Sequence, residues 1–252
     1  MRRVRDQAWL RQLAALAVVL ALWEAAARAG LLNPLYVPAP SAVAAALIEL
    51  FGSGTIWPHL AATFSAAVAG LLLGLAVGTV LGIAAALVPF VAEIIEPFMI
   101  LLNAIPRVVL APLFVIWFGI DLGSKVALAF ILVAVLIFFT VYTGIRQVDR
   151  RLVERVVTLG GGRRALLREV YLPSLVAWLL GQLKVAVGFA FTGAVVGEFV
   201  AASRGLGYLL SFAQSTYNAA LMLALVLLIV GFVLLIFALA GRLERRLLRW
   251  RS

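Results

Sequence analysis

The sequence predicts an all-α membrane protein: about six transmembrane helices, with a polar helix–turn–helix between the fourth and fifth. Three observations carry the prediction. Of 252 residues, 65% are hydrophobic, and the mean hydropathy is +1.14. A soluble domain is only about 45–50% apolar, and a large core does not explain such an excess. The apolar residues fall into long runs, which leave room for five or six spans of about 20 residues and for no separate soluble domain. The charges gather in short segments between the runs, most densely over residues 147–173.

Composition also narrows the chemistry. Cysteine is absent, which excludes disulfides and thiolate metal sites. His59 is the sole histidine, so no metal site is expected. The formal charge of +10 does not point to nucleic acid, because the arginines lie in short loops beside apolar runs. There they set orientation in the bilayer and the expected surroundings are lipid.

The first span covers residues 10–29, preceded by Arg2, Arg3 and Arg5; its length favours a retained helix over a cleaved leader. Residues 31–60 are less apolar and hold Pro34, Pro38, Pro40 and Pro58. Within them Ser41 is placed to cap a short surface helix from Ala42 to Phe51. The second span, residues 61–88, places Gly70, Gly74, Gly78 and Gly82 at strict four-residue spacing. That spacing puts all four on one helical face, where a neighbouring backbone, in this chain or a second copy, can approach closely.

The third span, residues 94–118, holds Pro97, Pro106 and Pro112, with Asn103 and Arg107 between them. Each proline removes a backbone donor and favours a kink. Irregular backbone at membrane depth lines a cavity or is buried in protein. The fourth span covers residues 125–145. The fifth, residues 174–200, contains Gln182, Lys184 and Glu198. A second surface segment opens at Gly205, and the sixth span covers residues 220–241.

Charge asymmetry orients these spans. With the N-terminus inside, four basic residues lie before or at the start of span 1, seven in or beside the polar segment and five in the tail, so 16 of 21 face the cytoplasm. Both ends and the polar segment are then cytoplasmic. Arg107 and Lys184 fall within the membrane, and two readings stay open for them: an attractive path for an anion, or structural partners for Glu198 or a helix carbonyl. Asn103 is equally open, as a group for cargo or for backbone freed by Pro106.

The polar segment reads as a docking element. Asp149 is placed to cap a helix from Arg150 to Thr158, and Gly160–Gly162 to end it in a left-handed turn. The helix offers Leu152, Val153, Val156, Val157 and Leu159 as an apolar stripe, with Arg151, Glu154 and Arg155 opposite. A second short helix is expected from Arg163 to the membrane at Pro173. A plain linker needs neither the glycine stop nor the stripe.

Glu154, then Gly160 six residues on, then Val170 and Leu172-Pro173, resembles the cytoplasmic signature of permease subunits of bacterial ABC importers. Its spacings all hold; Arg155 and Val156 replace two alanines and Val170 an isoleucine. Further stretches resemble the nitrate/sulfonate/taurine branch: residues 37–41, 105–113 and 117–120, Gly197-Glu198-Phe199 and Gly205-Leu206-Gly207-Tyr208.

The resemblance implies a non-catalytic subunit of the cell membrane with three regions: residues 1–60, a permease core 61–242 and a basic tail 243–252. It implies docking of ATPase subunits at Glu154, Val157, Leu159, Gly160, Gly161 and Arg163. A second permease copy and an extracytoplasmic substrate-binding protein complete the set it implies; the candidate pathway residues are Asn103, Pro106, Arg107, Lys184 and Glu198. No cofactor is expected on this chain, which has no phosphate-binding Gly-x-x-x-x-Gly-Lys-Ser/Thr motif; ATP and Mg are expected on the ATPase. The expected cargo is a small organic or inorganic anion, with a thiamine precursor, riboflavin or aromatic acid as alternatives. A secondary transporter or channel is a rival class, but gives no reason for the Glu154–Gly160–Pro173 spacing.

Overall fold

A computed structural model describes residues 2–247, with side chains from Leu10 onward except at residues 107, 163, 240 and 243–247. The described residues are helical and contain no strand. Five helices are long and apolar enough to cross a membrane, or six if one bent pair is a single span. The chain forms two compact units.

The first unit runs to Pro58 and includes Leu209–Val230. It contains α1 (Arg2–Arg28) and α2 (Pro40–Gly52), with most of α10 (Leu206–Ser215) and the first part of α11 (Ala219–Leu247). The side chains of α1 from Leu10 to Leu22 are exposed, as befits a lipid-facing helix. Ser41 is not the cap of α2: the helix starts at Pro40 and its N-cap residue, Ala39, makes no side-chain bond. Ser41 instead donates its backbone N–H to Glu24 Oε2 (3.0 Å) and its hydroxyl to Glu24 Oε1 (2.7 Å). A carboxylate from α1 thus takes one of the free amides of α2 and holds the two helices together. Arg28 Nε donates to the same group at 2.6 Å.

The second unit holds His59–Tyr208 and the chain from Gly231 on. Its axis is α6 (Leu122–Arg146), where Leu128, Val133, Val135, Ile137, Phe138 and Val141 are fully buried. Helix α3 (Ile56–Leu87) lies on it through the glycine face. A Cβ at Gly74 would stand 2.6 Å from Val133 Cβ, and one at Gly82 2.8 Å from Val141 Cβ. A Cβ at Gly78 would stand 2.6 Å from the Ala134 carbonyl oxygen, and one at Gly70 would be closer still to Ala129 Cβ. The four-residue spacing therefore serves a contact within this chain.

The proline-rich third span is broken rather than kinked. Helix α4 (Pro89–Ala104) carries Pro97 within it and ends before Ile105. A 3-10 turn (Arg107–Leu110) leads to α5 (Ala111–Phe118), and the axes of the pair differ by 95°. Pro106 sits in the break, where no helical bond needs its missing N–H, and Pro112 in the first turn of α5, where proline is tolerated.

Helix α7 (Arg150–Thr158) has the predicted bounds. The second short helix does not stand apart: α8 (Arg163–Leu166) passes through a π turn (Leu167–Tyr171) into α9 (Leu172–Val200). Leu172 N–H bonds five residues back to the Leu167 carbonyl, and Pro173 falls in the first turn of α9. Proline there interrupts nothing.

Candidate functional site

Helix α7 is fixed at both ends by its own sequence. Asp149 Oδ1 accepts from Arg151 N–H at 2.9 Å. At the other end Gly160 N–H bonds to the Val157 carbonyl and Gly161 N–H to the Val156 carbonyl, both at 2.9 Å. This pair is a Schellman motif, and it needs a left-handed residue, which Gly160 supplies at φ +82°. Gly161 is needed for space, since a Cβ would lie 2.6 Å from Val156 Cγ1.

The predicted apolar stripe divides. Val153 and Val156 are partly buried, whereas Leu152, Val157 and Leu159 are exposed, Leu159 by 82%. Glu154 and Arg155 are exposed as well. The Arg163 side chain lies outside the described residues. The element therefore presents apolar groups from a rigid, fully bonded turn.

Above it lies a cavity of about 770 Å³ between α4, α6 and α9. Asn103, Thr140, Thr143, Gln147 and Gln182 supply its polar lining, and Phe139, Trp178 and Phe189 its aromatic one. Of the residues singled out for cargo, Asn103 lines this cavity. Pro106 marks the helix break, and the Arg107 side chain lies outside the described residues. Lys184 is partly buried on α9, where its Nζ would lie 3.3 Å from a Cβ at Gly241. Thr140, Thr143 and Gln147 recur at helical spacing on α6, a weak signal that sequence reading passed over.

Glu198 belongs to a different cluster. It is 2% exposed, and its Oε2 accepts from Thr63 Oγ1 at 2.8 Å and from Gly207 N–H at 3.0 Å. Thr63 Oγ1 in turn accepts from Leu206 N–H at 2.9 Å. His59, one turn before Thr63, has its Nδ1 3.1 Å from Gly205 N and stacks on Tyr208 with ring centroids 5.7 Å apart. Three consecutive amides at the start of α10 thus meet side chains of α3 and α9. Gly205 (φ +121°) and Gly207 leave room for this approach, since a Cβ at either would overlap Glu198 or its helix.

Lys125 is 4% exposed and donates from Nζ to the Ile120 carbonyl. It shares a cavity of about 340 Å³ with Glu198, Asp121 and Arg204. Thr63 and Lys125 join Thr140, Thr143 and Gln147 as residues the sequence did not single out. The paired motifs at residues 197–199 and 205–208 were the only signal for the first two.

Residues 74–249 match the family described as binding-protein-dependent transport system inner membrane component. The chain is 35% identical to the riboflavin transport system permease protein RibX of Chloroflexus aurantiacus, over 94% of this chain and 88% of that one. It is 30% identical to the putative aliphatic sulfonates transport permease protein SsuC of Bacillus subtilis, over 97% and 88%. A solved structure of the MetNI methionine ABC transporter, in inward-facing conformations, superposes with a TM-score of 0.59 at 22% identity, covering 76% of this chain and 93% of that one; it shares the fold. The extent of these matches leads to one conclusion: the chain belongs to the binding-protein-dependent inner membrane component family and is a non-catalytic permease subunit of an ABC importer.

Proposed function

We propose that two copies of this chain form the translocation pathway of an importer for a small anion of the sulfonate, taurine or nitrate type. ATP and Mg act on separate ATPase subunits docked at α7, and an extracytoplasmic binding protein delivers the cargo. Both ends of the chain and α7 face the cytoplasm, as the distribution of arginine favours. Nucleotide-driven motion of the ATPases rocks the spans between two states.

The observation that carries this reading is the presentation of Leu152, Val157 and Leu159 on a helix closed by the Gly160 turn. Exposed apolar groups on a short rigid helix suit a groove on a partner. Similarity to the aliphatic sulfonates permease supports the anion. A second reading, a flat heteroaromatic solute, draws support from Phe139, Trp178 and Phe189 beside the cavity amides, and from the similarity to RibX. The ligand of the cognate binding protein decides between them.

Docking is tested with Gly160→Leu. A left-handed conformation costs a non-glycine residue about 1–2 kcal/mol, so the turn re-forms poorly and the exposed groups move. The expected result is loss of co-purified ATPase and of uptake. Parental values of both refute the docking role.

A further inference from the structure

We propose that Trp178 and Gly144 form a lever that carries displacement of α7 into the cavity; this rests on the docking role given to α7 above. Two hollows share one wall here. The cavity of about 770 Å³ lies on one side. On the other is a groove of about 320 Å³ whose lining includes Asp149, Leu152 and Pro173, from both ends of the polar segment. Gln147, Ala177 and Trp178 line both hollows. Where one residue faces two hollows, the wall is a single side chain thick.

Trp178 is the largest of the three, and α6 is cut away to receive it. A Cβ on Gly144 would stand 2.5 Å from Cε3 and 2.8 Å from Cδ2 of the indole. The ring therefore rests on bare backbone, with no side chain from that position to interlock with it. Both ends of the wall also lie on helices that continue into the docking element. Gln147 closes α6 two residues before the Asp149 cap of α7. Trp178 stands in the first two turns of α9, just after the π turn. A π turn spaces its backbone bonds more loosely than an α-helix and often marks a place where a helix adjusts. A push on α7 thus arrives at the two residues that hold the wall, and Trp178 moves across Gly144. Trp178 is a positioning residue for transport in this scheme.

The absence of cysteine gives a direct test. Thr143→Cys places a single thiol in the cavity lining. The full chain carrying it is co-expressed with its ATPase, purified as the complex and labelled with a membrane-impermeant maleimide, with and without ATP. With Trp178 and Gly144 intact, ATP is expected to change the labelling rate by about fivefold or more, as for a cavity that alternates between two states. Adding Trp178→Leu or Gly144→Ala is expected to reduce the change to about twofold or less while ATPase retention and hydrolysis persist. Trp178→Phe, which keeps a ring, is expected to restore most of it. A parental response in both Trp178→Leu and Gly144→Ala overturns the lever. So does an ATP-insensitive thiol in the otherwise unchanged complex, an outcome that leaves docking intact. Failure of the Thr143→Cys chain to retain any ATPase removes docking and the lever together. If Trp178→Leu does not assemble, Gly144→Ala carries the test with the indole present.

Discussion

Replacing Thr63 by valine nearly preserves side-chain volume and removes one hydroxyl, at a position with no solvent exposure. That hydroxyl donates to Glu198 at 2.8 Å and accepts from Leu206 N–H at 2.9 Å. Valine leaves a buried amide without its acceptor, at about 1–3 kcal/mol, and takes from the carboxylate a bond worth about 1.5–3 kcal/mol. Both groups lie where water has little access, so the losses combine to about 2.5–6 kcal/mol. This is a large share of the roughly 5–15 kcal/mol that holds a typical domain folded. The assay is equilibrium unfolding of the purified protein in detergent micelles. Thr63→Ser is the control, since it keeps the hydroxyl and loses one methyl, for about 1 kcal/mol. A Thr63→Val loss below about 1 kcal/mol, or one equal to that of Thr63→Ser, would refute the assignment of the hydroxyl as the link between α3, α9 and α10.

Two further expectations concern helix packing. Gly74→Leu is expected to destabilise the protein by at least about 1–3 kcal/mol, because the new side chain meets Val133 on the α6 axis. Gly231→Ala, on a stretch of α11 with nothing within 4 Å, is expected to cost nothing in the same unfolding assay. Glu24→Ala frees the Ser41 amide, so hydrogen exchange at the start of α2 should accelerate while that of α6 stays unchanged; equal rates would argue against the carboxylate as the cap of α2.

Local signals were read from the sequence most directly. The bounds of α7 follow from Asp149 and Gly160, because a cap and a left-handed stop act within a few residues of their own helix. The glycine face of α3 follows from spacing alone, although its partner required the fold. Proline was less legible. Pro97, Pro106 and Pro112 read alike in the sequence, yet one lies inside a helix, one in a break and one in a first turn. Pro106 and Pro112 fall where no helical bond needs the missing N–H, whereas Pro97 forgoes one inside α4. Pro173 seemed to end a helix and instead falls at the start of one, after the π turn. Ser41 and Glu198 mark the farthest limit. Their partners, Glu24 and Thr63, lie 17 and 135 residues away, and no periodicity in either segment announces such a bond.

The glycine seam has a mechanical consequence. Helices α3 and α6 touch backbone to backbone at four successive turns, and on α9 Gly193 meets Ala129 Cα and Gly197 meets Lys125 Cα in the same manner. Tilting any of these helices against α6 would drive backbone into backbone at several points at once. Along these contacts the three behave as one plank, and α7 is joined to the ends of α6 and α9 that lie beyond them. Force applied at α7 then meets a stiff body, and the flexure that transport demands is left to places outside this seam, such as the start of α9, where α6 is met by the Trp178 ring at Gly144 and not by backbone.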